Sequence, residues 1–393
     1  MGTGWVRFSA VFLTVLLFFG ILTVWIPYRW AVYALEAGLF ALAIPWAAAI
    51  ALRRRSPRGS ILIIPLLAAV LWGLLQLLCG WTVYRFETWN AVLTWSAHLA
   101  VFCLALQIFA PAPNAASPRA GFRRALLYFG FALSVLSVVQ YFTSPGRIFG
   151  IFPVDYANVG PFLNRDHYAT FIELILPLAL FEAIRDRRKT LSHAVMAGVM
   201  FASVIAGASR AGSILVTLEI LVVLFLAFSP RFASAATAPR ALLKIVFFAV
   251  VLVAIVGWEV LWNRFQEPDP FRGRRELLQS SIAMVRERPW TGFGLGTWPT
   301  AYPAYALFDR GMFANHAHND WAEWAAEGGL PFLLMLLAVA AGSVRLAIRS
   351  PWGLGVVAAF CHCAVDFPMQ RLAISALLFA LLGVMAAAAP RRP

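Results

Sequence analysis

The chain has 393 residues, of which 61% are hydrophobic and only 13% charged, with a mean hydropathy of +0.77. A soluble globular domain is nearer half apolar and a quarter charged, so a water-soluble fold is excluded and lipid must take up the excess apolar surface. The formal net charge of +14 would point to nucleic acid in a soluble protein. Here the basic residues sit between hydrophobic runs, where they orient a chain in a membrane, and no nucleic-acid partner is expected.

Runs of about twenty apolar residues, each long enough to span a bilayer, recur along the chain. They give twelve candidate spans at 8–26, 30–52, 60–80, 90–110, 123–142, 168–184, 191–207, 212–228, 242–262, 329–348, 352–366 and 372–389. Only helices satisfy their backbone alone in lipid, so the expected fold class is an all-α polytopic membrane protein with about 12 transmembrane helices. The first run, from Phe8 to Ile26, is long for a signal peptide and reads as a span.

The lysines and arginines alternate in side. Arg7, Arg53, Arg54, Arg55, Arg58, Arg119, Arg123, Arg124, Arg185, Arg187, Arg188, Lys189, Arg231, Arg240, Lys244, Arg345, Arg349, Arg391 and Arg392 share one face, 19 in all. The short connections opposite hold 6, and the remaining 7 lie in one long loop, 263–328. Basic residues in short loops stay cytoplasmic, so both termini are expected inside and loop 263–328 outside.

The outward connections carry the polar chemistry. Between spans five and six is Pro161-Phe162-Leu163-Asn164-Arg165-Asp166-His167-Tyr168-Ala169, and between seven and eight is Ser209-Arg210-Ala211-Gly212. The long loop holds Gly273-Arg274-Arg275, then Pro289 with Gly292, Gly294 and Gly296, then His316-Ala317-His318-Asn319-Asp320. Asp366-Phe367-Pro368 lies between the last two spans. No strand precedes the glycines, so a dinucleotide-binding reading fails and they are expected as tight turns. Of the four cysteines, Cys79, Cys103, Cys361 and Cys363, the pair in Cys361-His362-Cys363 is suggestive of metal. Helix positions two apart do not share a face and a zinc site needs more ligands, so small packing residues are expected, with no metal.

In this order, over about residues 155–370, the motifs resemble the O-antigen ligase and polymerase superfamily, which includes bacterial O-oligosaccharyltransferases. One departure is that His318-Asn319 and Gly329 are followed by Phe332, where the ligases have Gly, Thr or Tyr. The resemblance implies a GT-C-like fold with a long, partly helical periplasmic loop. It divides the chain into N-terminal transmembrane helices (1–150) and an O-antigen ligase-like catalytic region (151–393). It also implies a multi-pass protein of the bacterial inner membrane with a periplasmic active site. The implied activity is a metal-independent glycosyl transfer, with no cofactor, from a polyprenyl (undecaprenyl) diphosphate-linked glycan to an acceptor hydroxyl. The acceptor would be lipid A-core for a ligase or another glycan for a polymerase, with membrane lipid as the surrounding partner.

That chemistry needs charge stabilisation on the leaving diphosphate and help in deprotonating the nucleophile. Arginine holds phosphate oxygens bidentately: Arg210 and Arg274 are the diphosphate candidates, with Arg165 and Arg275 behind them. Histidine exchanges protons near neutrality: His318 is the candidate base, and His316 its rival, with Asn319 beside them. Asp320, with Glu323 three residues on, has the pattern of a helix-capping carboxylate. Glu173, inside a hydrophobic run, calls for a partner such as an arginine or for a role in the chemistry, and Asp366 is placed to meet Arg371 or a substrate hydroxyl. A flippase or transporter is the competing class, but the halves show no internal repeat of the kind transporters often have.

Overall fold

The computed structural model describes residues 2–111, 118–155, 158–186, 188–228, 238–269, 271–307, 311, 313–350 and 353–389. Arg187, Arg231, Arg391 and Arg392 of the charge bias lie outside the described residues. The helices are α1 (Thr3–Thr23), α2 (Trp30–Ala51), α3 (Ile63–Cys79), α4 (Arg85–Ile108), α5 (Arg119–Thr143), α6 (Arg165–Glu173), α7 (Leu176–Arg185), α8 (Thr190–Ala206) and α9 (Arg210–Ala227). They continue with α10 (Ala238–Val256), α11 (Glu259–Phe265), α12 (Arg272–Glu287), α13 (Trp298–Ala301), α14 (Asp320–Ala347), α15 (Gly353–His362) and α16 (Leu372–Ala388). The strands described are a two-residue hairpin, Arg147–Ile148 against Phe152–Pro153.

Every apolar run of the sequence is helical, but the number of crossings does not follow from that. Among the described residues, seven helices are long and apolar enough to cross a membrane, or eight if α10 and α11 count as one broken span bent by 87°. Four further apolar helices, α3, α8, α15 and α16, are shorter, at 10–17 residues. The expected count of twelve is therefore not established: runs of similar hydropathy fold into helices of unequal length.

Helix α16 shows why the bundle holds together. Its sequence is apolar on every face, which suits a helix surrounded by others rather than by lipid, and Leu372 to Ala387 is buried throughout. It packs on α4, α1 and α15. Gly383 allows the closest approach, since a Cβ there would stand 2.5 Å from the Phe102 carbonyl oxygen.

Two prolines open helices where the site is built. Pro177 has no N–H to offer the Glu173 carbonyl four residues back, and its ring crowds that carbonyl. The span accordingly breaks between α6 and α7. Pro331 does the same to Glu327, and α14 kinks at Gly329, whose φ of 70° and ψ of −178° suit glycine. The freed Glu327 carbonyl accepts from Gln76 Nε2 (2.8 Å) and from the Gly294 N–H (2.9 Å). Trp72 Nε1 donates to the neighbouring Gly328 carbonyl (2.9 Å).

Those bonds tie the 263–328 loop to the ends of α3 and α14. The loop has a small core of its own around Leu277, Met284, Phe293, Trp298 and Tyr302. Buried Glu276 accepts from Tyr302, from Ser280 and from the Leu307 N–H. Gly292, Gly294 and Gly296 all have positive φ, as expected of tight turns.

The charge bias makes a direct prediction about sides. Reporter fusions after Lys189 and after Leu307 should give opposite signals, the first cytoplasmic. Equal signals at the two positions would contradict the orientation.

Candidate active site

The site lies where the N-termini of α6, α9, α14 and α16 meet the C-terminus of α15. Each of the first three helices is started by a short polar side chain. Asn164 caps α6 by accepting from the Asp166 N–H (2.8 Å), Ser209 caps α9 through Gly212 (3.0 Å) and Asn319 caps α14 through Ala322 (3.0 Å). Such caps satisfy otherwise orphaned N–H groups. The expected cap at Asp320 is thus displaced by one residue to Asn319, which has the extended backbone a cap needs. Glu323 does not close a capping box and instead receives the Ala317 N–H (2.8 Å) and pairs with His316 Nδ1 (2.8 Å).

Asp366 is the centre. Its carboxylate is fully buried, and Oδ1 accepts from His318 Nδ1 at 2.7 Å while lying 3.7 Å from the Arg274 guanidinium. Oδ2 accepts from Asn164 Nδ2 (2.9 Å) and lies 3.8 Å from His167 Nε2. Burial by itself would raise the Asp366 carboxyl. The hydrogen bond from His318 and the charges of His167, His318 and Arg274 outweigh it and hold the group below the ordinary carboxylate range. The expected Asp366–Arg371 pairing is not formed: Arg371 instead lies over the Phe367 ring, 5.8 Å from its centre.

Because an ionised carboxylate can only accept, His318 carries its proton on Nδ1 and presents the Nε2 lone pair. His318 makes no second hydrogen bond among the described residues, and its side chain is 36% exposed. It also has φ of +51°, a left-handed conformation unusual for a side-chain-bearing residue and often met at functional sites. His316 differs. It stacks on Phe367 at 4.3 Å, is bonded to Glu323, and burial, with Arg371 and His318 nearby, pushes it down to about 3. It is a neutral, occupied side chain at neutral pH.

Asp320 also faces inward. It is fully buried, and its oxygens accept from the Met369 N–H and from Gln370 Nε2, both at 3.0 Å. Its own N–H donates to the Cys363 carbonyl (2.8 Å). These bonds hold the 363–370 turn that delivers Asp366. Asn319 Nδ2 adds one more, to the Ala364 carbonyl (2.8 Å).

The arginines separate into distinct settings. Arg274 pairs with Asp166 (2.8 Å), and Asp166 also accepts from Ser209 Oγ (2.5 Å). Arg210 donates to the Arg264 carbonyl (2.9 Å) and pairs with Glu267 (3.0 Å), while Arg264 donates to the Ala208 carbonyl (2.7 Å). Arg165 lies near Arg264 and makes no hydrogen bond or ion pair among the described residues. Arg275 points elsewhere, 63% exposed and paired with Asp269 in its own loop (2.6 Å).

Arg165 and Arg210 are each the first residue of a helix, where the dipole already favours negative charge and disfavours cations. With Arg264 and Arg274 they form a strongly cationic rim above two helix N-termini, a setting that suits a phosphorylated anion. The small residues of the Ser209–Gly212 turn allow this crowding: a Cβ on Gly212 would fall 2.2 Å from Ala169 Cβ, so glycine lets α9 approach α6.

The structure therefore gathers His318, Arg274, Asp366, His316, Asn319 and Asp320 in one place, with Arg210 and Arg165 on the adjoining rim, and leaves Arg275 outside. Sequence reasoning assigned nothing to Asp166, Ser209 or Arg264. Asp166 acquires its role only from Arg274, which is distant in sequence. Arg264 counted as one of many loop charges, and only the bend at Gly257, with its φ of 83°, turns it toward Ala208.

Replacing Asp320 by alanine leaves the buried Met369 N–H and the half-buried Gln370 amide without acceptors. The cost is about 1–3 kcal/mol for each group, so Asp320→Ala should melt well below the parent in detergent. An unchanged melting temperature would refute the holding role.

Comparison with known proteins bears on the same region. No curated protein matches the chain. Residues 195–337 match the family model described as O-antigen ligase, a stretch that contains Arg210, Arg264, Arg274, His316 and His318. Over that stretch the chain is similar to the O-antigen ligase family.

Proposed function

We propose that the protein transfers a glycan from a polyprenyl diphosphate carrier, undecaprenyl diphosphate in bacteria, to an acceptor hydroxyl at the periplasmic face of the inner membrane. One observation carries the reading: a single buried carboxylate oxygen, Asp366 Oδ1, is shared by His318 at 2.7 Å and Arg274 at 3.7 Å. A proton acceptor with an open lone pair and a phosphate-seeking cation are thereby held a few ångströms apart, on one rigid group.

The reaction follows from that spacing. His318 Nε2 accepts the proton of the acceptor hydroxyl as its oxygen bonds to the anomeric carbon. The bond from that carbon to the diphosphate breaks, and the electron pair leaves with the diphosphate oxygen. Arg274, Arg210 and Arg165 stabilise the growing negative charge, and Asp366 stabilises the imidazolium. The helix N-termini of α6 and α9 add to the same field. Whether lipid A-core or a growing glycan supplies the hydroxyl decides between ligase and polymerase.

The expected assay uses undecaprenyl diphosphate-linked glycan extracted from cells that lack the protein. His318→Ala should bind undecaprenyl diphosphate as the parent does and lose roughly a hundredfold or more in turnover, the usual scale of general-base catalysis. His316→Ala should be milder. Arg274→Lys keeps the charge but loses the planar fork, so transfer should still fall. A fully active His318→Ala, or an inactive His316→Ala beside it, would overturn the assignment.

The guanidinium groups take the place that a divalent ion has in nucleotide-sugar transferases. Transfer should therefore persist in excess EDTA. Activity that vanishes with chelator and returns with magnesium or manganese would contradict this part of the mechanism.

A further inference from the structure

One buried pair remains unused by the reaction. Glu173 ends α6 at the break made by Pro177, and His362 ends α15. Their side chains are 0% exposed and meet at 2.7 Å, Oε1 to Nδ1. The sequence suggested an arginine as the Glu173 partner, or a place in the chemistry; the partner is instead the histidine of Cys361-His362-Cys363. Gly355 makes the meeting possible, because any Cβ there would fall 2.2 Å from the Glu173 carbonyl oxygen, the carbonyl that Pro177 cannot satisfy.

A buried ion or hydrogen-bonded pair is a weak source of stability, since desolvation offsets most of the attraction. What this pair has is connection. The His362 carbonyl accepts from the N–H groups of Val365 (2.9 Å) and Asp366 (3.1 Å), so the turn presenting the Asp366 carboxylate hangs from His362. The His362 ring also meets Thr170 Oγ1 at 3.1 Å, and Thr170 Oγ1 lies 3.0 Å from the Asp166 carbonyl. Two short paths thus leave His362, one from its backbone carbonyl and one from its ring. One ends at the carboxylate that orients His318, and the other at the residue that pairs with Arg274.

The geometry points to Glu173, His362 and Thr170 as positioning residues for the transfer, a buried strut that sets the separation between Asp366 and Asp166 and so between His318 and Arg274. This rests on the proposed reaction, although the strut lies outside the reacting groups. Glu219 of α9 stands near Glu173, is 1% exposed, and neither of its oxygens has a partner. With neither oxygen bonded, Glu219 is not a member of the strut. Among the other ionisable groups on helices packed around α9, Glu182, Arg185 and His193 lie on α7 and α8, Glu259 and Arg264 on α11, and Arg165, Asp166 and His167 open α6.

The decisive comparison changes a single hydroxyl. Thr170→Val keeps the shape of the side chain and removes both bonds, and Thr170→Ser restores them. With full-length purified protein, Thr170→Val should lower turnover by about tenfold to a hundredfold, the scale of a small misplacement transmitted to reacting groups. Its affinity for undecaprenyl diphosphate should stay within about threefold of the parent, since none of the arginines on the cationic rim is changed, and Thr170→Ser should recover most of the rate. Glu173→Gln and His362→Gln should each be slow, and the double variant no slower than the worse single, as expected of coupled neighbours. Glu219→Gln, which keeps the side-chain size and breaks none of the strut's hydrogen bonds, should behave like the parent.

A Thr170→Val protein that transfers at the parent rate overturns the proposal. So does a Glu219→Gln as slow as Glu173→Gln, which would make the cluster a proton-exchanging site instead. If Glu173→Gln or His362→Gln fails to fold, the Thr170 pair still decides. Failure of the underlying reaction looks different: the parent itself would then neither bind undecaprenyl diphosphate nor transfer from it.

Discussion

A carboxylate with no access to solvent, Asp366, organises this molecule. Placing an anion there is costly unless every lone pair finds a donor, and the structure supplies His318, Asn164, Arg274 and His167 around it. They come from three separate elements, so the cost of isolating any of them fixes the relative positions of α6, α12, the start of α14 and the α15–α16 turn. Phe367 extends the arrangement, with His167 and His318 edge-on at 4.7 Å and His316 stacked on its face. The apolar ring excludes water from one side of the carboxylate, which strengthens its electrostatic hold on Arg274 and its hydrogen bond from His318.

The surrounding bundle is built to deliver helix ends rather than continuous helices. Proline at 177 and proline with glycine at 331 and 329 interrupt apolar segments that would otherwise run straight. In lipid an interrupted backbone is tolerated where protein re-satisfies the freed groups. Gln76, Trp72 and the glycine turns of the loop do so at one break, and Gly355 brings α15 close at the other.

Much of this was legible beforehand, for physical reasons. Apolar run length marks helices whatever their surroundings, so every segment was found. The number of crossings was not, because hydropathy does not distinguish α16, wrapped by other helices, from a lipid-facing span such as α2. Asp366 stood out as a polar group at the end of an apolar run, and His318 and Arg274 as members of short polar motifs in the long outward loop. Asp166 escaped notice because its role depends on Arg274, 108 residues away, and no local pattern encodes that pairing. The Asp320 cap was misplaced by a single residue because asparagine and aspartate both suit a cap, and only the backbone conformation of Asn319 decides between them. Glu173 was recognised as needing a partner, but His362 was hidden in a motif that suggested metal.

The most direct test of the account is the charge on Asp366. Asp366→Asn preserves size and can still hydrogen-bond, but it removes the anion that sets the His318 tautomer and stabilises its protonated form. Measured on purified protein, it should bind undecaprenyl diphosphate much as the parent does and turn over roughly a hundredfold slower or worse, the scale of an impaired general base. An Asp366→Asn protein that transfers glycan at the parent rate would show that His318 and Asp366 are not the reacting centre.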